Sequence, residues 1–140
     1  MQMTSKTTRT LVPKLWGEED WVVNTPQYCG KVLTLRPGYQ SSLHYHPLKH
    51  ETFVCMVGNV CLEMFPEGVT RLGKPAGAAR TLYMSSVFRN AVTLEPGVPH
   101  RFYCTTKSPA VVVEFSTHHS DTDVVRLEDS RKQTPNDPLP

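Results

Sequence analysis

His44 and His46 stand two residues apart, so on an extended strand both imidazoles leave the same face. Glu51 follows five residues after His46, beyond Pro47, and opens the apolar run Thr52–Val57 that ends at Gly58-Asn59. Strand, turn and second strand would bring two imidazoles and a carboxylate together, a donor set for a divalent metal. A further ligand has to come from far along the chain. His100, presented by the turn Pro96-Gly97-Val98-Pro99, is the candidate. Three imidazoles and one carboxylate suit Mn, Fe, Co, Ni or Zn as a divalent ion without choosing among them. On an octahedral ion such a set leaves two positions open, enough for a substrate to chelate through two oxygens.

Short strands have to position these groups. Tyr28–Leu35, Gln40–Tyr45, Glu51–Val57 and Val60–Phe65 read as strands, with a turn at Arg36-Pro37-Gly38 and a tight hairpin at Gly58-Asn59. Pro66–Ala79 is rich in glycine and proline and reads as a loop on the rim of the site. Strands resume at Arg80–Met84 and Ala91–Leu94. His100–Thr105 and Val111–Thr117 read as a strand pair, and Asp123–Leu127 as a weaker strand. No long amphipathic helix and no internal repeat is present. Many short strands at turn-rich spacing predict an all-β sandwich or closed roll. Residues 1–12 read as a flexible or edge-lying segment, 13–129 as the barrel, and 130–140 as an irregular tail.

At 140 residues the chain is one domain, able to bury about two-thirds of its unfolded surface. A net charge of +2 with interspersed signs offers no basic stripe for nucleic acid. No apolar stretch approaches the ~20 residues of a membrane span, and the N-terminus has no signal-like apolar core. Cys29, Cys55, Cys61 and Cys104 lie in or beside apolar runs with no C-x-x-C pair. They read as small buried hydrophobes in a reducing compartment, which implies the cytoplasm.

The unbroken spacing G-x5-H-x-H-x4-E-x6-G over Gly38–Gly58 resembles the first motif of the cupin superfamily. Pro96-Gly97-x-x-His100 resembles the second, although Glu95 stands where a proline often does and no glycine precedes it near Phe88-Arg89-Asn90. The segments KLWGEEDWVVN, YCGKVLTLRPGYQSSLHYHPLKHETF and VVVEFSTHHSDTDVVRLED are similar to the D-lyxose isomerase group. They resemble cupin-type mannose-6-phosphate isomerases more distantly. Together they cover about residues 13–129. The resemblance implies a single-domain double-stranded β-helix (jelly-roll barrel). It also implies a metal held by His44, His46, Glu51 and His100, a homodimer, and aldose–ketose isomerisation of a small sugar or sugar phosphate.

That reaction needs a polarised carbonyl and a group that moves a proton between adjacent carbons; a carboxylate or a lysine of lowered pKa would serve. Lys49, in H-x-H-x-x-K-x-E, is either a solvated turn lysine or, as the resemblance implies, a substrate-facing one. Glu114 interrupts Val111-Val112-Val113 and Phe115, where a charge is costly unless exposed or partnered. Facing the barrel mouth, it is the candidate base; facing outward, it is a solvated strand residue. Lys31 either reaches sugar oxygens or snorkels at the barrel edge. Phe53, Phe102 and Cys104 supply an apolar pocket wall. Trp16 and Trp21 are expected to pack over the barrel end, and Asp123 with Arg126 to form an ion pair or a dimer contact. His118 and His119 point opposite ways on a strand, so at most one reaches the pocket. His50 reads as surface. Two other functions stay open: a non-catalytic cupin that binds or sequesters a sugar or nucleotide, and an Fe(II)-dependent dioxygenase on the same ligands.

Overall fold

The computed structural model describes residues 4–135 and 137, and all the regular structure among them is β. Expectations for residues 1–3, 136 and 138–140, at the ends of the predicted arm and tail, lie outside the described residues. One antiparallel sheet has six strands in the order β1 (Thr10–Lys14), β2 (Gly17–Asn24), β3 (Cys29–Leu35), β11 (Ala110–Ser116), β6 (Glu51–Val57), β9 (Ala91–Leu94). The second runs β12 (Val125–Glu128), β5 (Leu43–Tyr45), β10 (His100–Cys104), β4 (Tyr39–Gln40), β13 (Arg131–Lys132). In that sheet β7 (Asn59–Met64) also pairs with β10, and β8 (Arg80–Ser85) pairs with β7.

Period-two alternation decides which face each strand buries. On β3, Cys29, Lys31, Leu33 and Leu35 are buried, while Gly30, Val32 and Thr34 are half-exposed on the other side. β6 buries Glu51, Phe53 and Cys55, and β11 buries Ala110, Val112 and Glu114. The apolar members meet Leu62, Met84 and Phe102 of the second sheet in one core. Trp16 closes one side of it, edge-on to Phe102 at 5.2 Å between ring centroids. This is the all-β jelly roll expected, but as two facing sheets: no ladder joins them into a closed barrel among the described strands.

Several local readings are corrected. Gly58 is not a hairpin turn, because β6 and β7 belong to different sheets and both edges of β6 are taken, by β11 and β9. It is a corner at φ 76°, where a Cβ would lie 2.9 Å from Thr106 Oγ1. β10 and β11 likewise part into opposite sheets instead of pairing. The predicted strand Gln40–Tyr45 is broken at Ser41-Ser42, where the Ser41 hydroxyl accepts the Phe102 amide at 3.0 Å. β1 starts at Thr10 along a sheet edge, and β13 lies within the tail predicted to be irregular.

Candidate metal centre

The break after β4 lets β5 run beside β10, where His44 stands directly opposite His100. Opposed residues of an antiparallel pair project from one face, so both rings point between the sheets. His46 follows at the end of β5. Ring centroids are 4.6 Å apart for His44–His100, 5.1 Å for His44–His46 and 6.0 Å for His46–His100. One nitrogen from each of the three lies within 4.8 Å of the others, a cluster that could hold a metal ion.

The hydrogen bonds fix how the rings are presented. The Nδ1 atoms of His44, His46 and His100 lie 3.0, 2.6 and 2.9 Å from the carbonyl oxygens of Ser42, Asp123 and Val98. A carbonyl only accepts, so Nδ1 donates in all three and Nε2 keeps its lone pair for a ligand bond. Glu51 lies beside the cluster: its Oε1 is 3.4 Å from His46 Nε2 and its Oε2 3.2 Å from His100 Nε2. His100 Nε2 is buried and makes no hydrogen bond among the described residues. A lone pair facing a carboxylate oxygen at that distance is repulsive unless a cation lies beside both. Two ligands at right angles, each about 2.1 Å from an ion, stand about 3 Å apart, so the residues fit a transition-metal ion.

Electrostatics point the same way. Burial, reinforced by His100 and His46, pushes His44 well below its ordinary value and keeps it neutral. Burial alone would raise Glu51 and lower His100, but the two outweigh it for each other. His100, with His46, holds the carboxyl well below the usual range, and Glu51 raises the His100 imidazole, so the pair draws a cation, proton or metal, between carboxylate and ring.

The three histidines and Glu51 line a cavity of about 350 Å³ that also takes in Lys49, Glu114, Lys31, Phe53 and Phe102. These predicted site residues are therefore brought together; Cys104, expected on the pocket wall with Phe53 and Phe102, packs in the core instead and does not line the cavity. Lys49 is not a solvated turn lysine: its side chain is 1% exposed, with Nζ 3.0 Å from Glu114 Oε2 and 3.8 Å from Glu51 Oε1. Burial pushes its ammonium down, yet Glu114 and Glu51 outweigh burial and raise it. Glu114 faces inward and also accepts from the Ser116 hydroxyl at 3.2 Å.

Other residues at the site were not expected there. Trp21 lines the cavity beside its register partner Lys31, whose Nζ sits 4.6 Å from the indole centroid. The Trp21 indole N–H is buried with no acceptor among the described residues, and so is a donor for a ligand oxygen. His119, not His118, reaches the pocket; both lie past the end of β11 and not on a strand, so the parity argument that allowed at most one of them does not apply, and it is their separate anchors that part them. Arg126 lines the cavity opposite His44 and makes no ion pair with Asp123. The Asp123 carboxylate instead accepts the Leu48 amide at 2.8 Å, and its backbone carbonyl receives His46. His50 is at the surface, 53% exposed and 3.4 Å from Glu95.

This fold, with histidines convergent between two sheets, defines a cupin. A curated relative, the D-lyxose/D-mannose isomerase of Thermosediminibacter oceani, is 31% identical over 125 residues, spanning 81% of this chain and 68% of that one. The chain belongs to the family of that cupin sugar isomerase. No family model matches it. Among solved structures, the capsular polysaccharide assembling protein CapF of Staphylococcus aureus superposes with a TM-score of 0.72 at 17% identity, over 87% of this chain and 32% of that one. Bacillus subtilis oxalate decarboxylase, a protein with Mn(II) centres, gives 0.65 at 18% identity, over 84% and 29%. The chain thus spans about a third of either neighbour's length, and at these identities they speak for the fold alone.

Proposed function

We propose that the protein is a metal-dependent aldose–ketose isomerase acting on a small sugar or sugar phosphate, with His44, His46, Glu51 and His100 as ligands. The observation that carries this is the buried Lys49–Glu114 pair, 3.0 Å apart, in the cavity that holds the histidine cluster. A bound divalent ion would polarise the substrate's carbonyl. Glu114 takes the proton from the carbon beside that carbonyl and returns it one carbon along, while the hydroxyl proton on the first carbon's oxygen passes to the former carbonyl oxygen. Lys49, kept as an ammonium by Glu114 and Glu51, steadies the oxygen on which charge develops. Lys31 and Trp21 offer donors to sugar hydroxyls, while Phe53 and Phe102 exclude water on the apolar side.

We place the protein in the cytoplasm as a homodimer. Four unpaired buried cysteines support a reducing compartment. The outward row Val32, Val54, Val111, Val113 and Phe115 across the centre of the six-stranded sheet supports a self-complementary apolar contact.

The test is turnover of D-lyxose, D-mannose and their phosphates by protein loaded with each candidate ion, read as ketose formed and as deuterium gained at C1 of that ketose from heavy water. Glu114→Gln should abolish turnover and leave the bound metal unchanged. Binding of sugars without ketose or exchange would give the site to a non-catalytic cupin, and oxygen uptake with an oxidisable metal to a dioxygenase.

A further inference from the structure

His119 is not needed for any step above, yet it sits where the cavity's cations converge. Its Nδ1 lies 3.3 Å from Lys31 Nζ and 3.2 Å from Lys49 Nζ, and its Nε2 lies 3.1 Å from Asp121 Oδ1. Ammonium groups only donate and a carboxylate only accepts. The ring therefore carries its proton on Nε2 and turns the Nδ1 lone pair to both lysines. This is the reverse of His44, His46 and His100, which donate through Nδ1. Burial, with Lys31 and Lys49 beside it, brings the imidazole down to about 4, so it is neutral at pH 7.

The ring is built into place. Its backbone N–H donates to Asn24 Oδ1 at 2.9 Å, and Asn24 Nδ2 donates back to the His119 carbonyl at 3.0 Å. His118 Nδ1 reaches the Thr25 carbonyl at 2.9 Å, which anchors the neighbouring residue to the same end of β2. Trp21 packs on the imidazole at 4.8 Å between centroids. A carboxylate at this point would lock each ammonium in a full ion pair, and an apolar group would release both to Glu19 and Glu114. A neutral nitrogen with one lone pair satisfies only one N–H fully at a time. It gathers two ammonium groups into the cavity and leaves their remaining hydrogens for a ligand.

We propose that His119 is a positioning residue. As the neutral Nε2–H tautomer, oriented by Asp121 and Asn24, it holds Lys31 and Lys49 toward an oxygen-rich ligand in the metal cavity. This rests on the isomerase reading for its kinetic consequence but not for its tautomer. The tautomer is read by two-bond ¹H–¹⁵N correlation on protein loaded with diamagnetic Zn²⁺. An Nε2–H pattern at pH 7, persisting to below pH 5, is expected; an Nδ1–H or imidazolium pattern at pH 7 overturns the proposal. The second arm compares His119→Asn, whose amide oxygen can occupy the Nδ1 position, with His119→Leu, which has no acceptor. His119→Leu should lower kcat/KM about 10- to 100-fold, chiefly through KM, while His119→Asn stays within about threefold of wild type, at equal metal content. Equal losses in the two variants overturn it, since the acceptor would then be irrelevant. If the wild type turns over no sugar, the isomerase reading fails by itself and the tautomer alone decides His119.

Discussion

Removing the Lys49 ammonium should cost more stability than removing the Glu114 charge, although the two form one pair. Both side chains are nearly inaccessible, at 1% and 5% exposure. Lys49→Met leaves Glu114 with one hydroxyl donor, Ser116, and deprives Glu51 of its lysine at 3.8 Å. Stranding a buried charge costs about 3–5 kcal/mol. For a domain of this size that lowers the thermal midpoint by about 10–15 °C. Glu114→Gln keeps an amide oxygen as acceptor, and Lys49 keeps Glu51 and His119, so the loss should be about 1 kcal/mol. The double variant strands no charge at position 114 and should be more stable than Lys49→Met alone, giving a coupling of about 2 kcal/mol. Urea unfolding of all four proteins at pH 7, under one metal condition, measures the cycle. A Lys49→Met cost below about 0.5 kcal/mol, or an order reversed between the single variants, would refute the reasoning.

Three further outcomes follow from the same contacts. A metal present at about 100 times its Kd should add about 2.7 kcal/mol, hence a rise of several degrees in the thermal midpoint, and His100→Ala should abolish that shift. A His100→Ala protein that keeps the full shift would remove His100 from the ligand set. Gly17→Ala would set a methyl carbon 1.8 Å from the Thr34 carbonyl oxygen at φ 146°, so the β2–β3 ladder must open. Stability should fall by more than about 2 kcal/mol, and an unchanged urea midpoint would contradict this close approach. Burial pushes the Cys29, Cys55 and Cys61 thiols up from 9.0, so above that pH the unfolded chain loses protons that the folded one keeps. Stability should therefore decline as pH rises past 9.0, and Cys61→Ala should flatten the slope measured between pH 8 and about pH 10.

Much of the site was legible because its signals were local. His44 and His46 share a face through strand parity, Glu51 follows within one turn, and the Gly-to-His step marked His100. What local pattern could not supply was the partition of strands between sheets. Gly58 reads as a hairpin turn, and only the occupied edges of β6 turn it into a corner. Asp123 illustrates the same limit. Nearness in sequence suggested Arg126 as its partner, whereas its oxygens serve Leu48 and His46 from across 75 and 77 residues. The sequence offered His118 and His119 without choosing between them, because apart from Asp121 the partners that fix His119 come from β2, β3 and the loop before β6.

The register explains why charge collects at one end of the interior. Across the six-stranded sheet, Leu33 stands beside Val112 and Val112 beside Cys55, while Leu35 stands beside Ala110. Two residues along, the buried face changes character: Trp21 pairs with Lys31, Lys31 with Glu114 and Glu114 with Phe53. One step further, Ser116 lies beside Glu51. An apolar floor thus gives way to a charged rim within two rows, and the second sheet sets His44 and His100 above it. Neither layer alone could hold these charges, since each would face an uncompensated partner or lipid-like neighbours. Closing one sheet over the other makes Glu51 the carboxylate of the histidine cluster, while the connection between β5 and β6 brings Lys49 to Glu114 as its counter-ion. The chemistry of the cavity is therefore a consequence of strand register more than of any single motif.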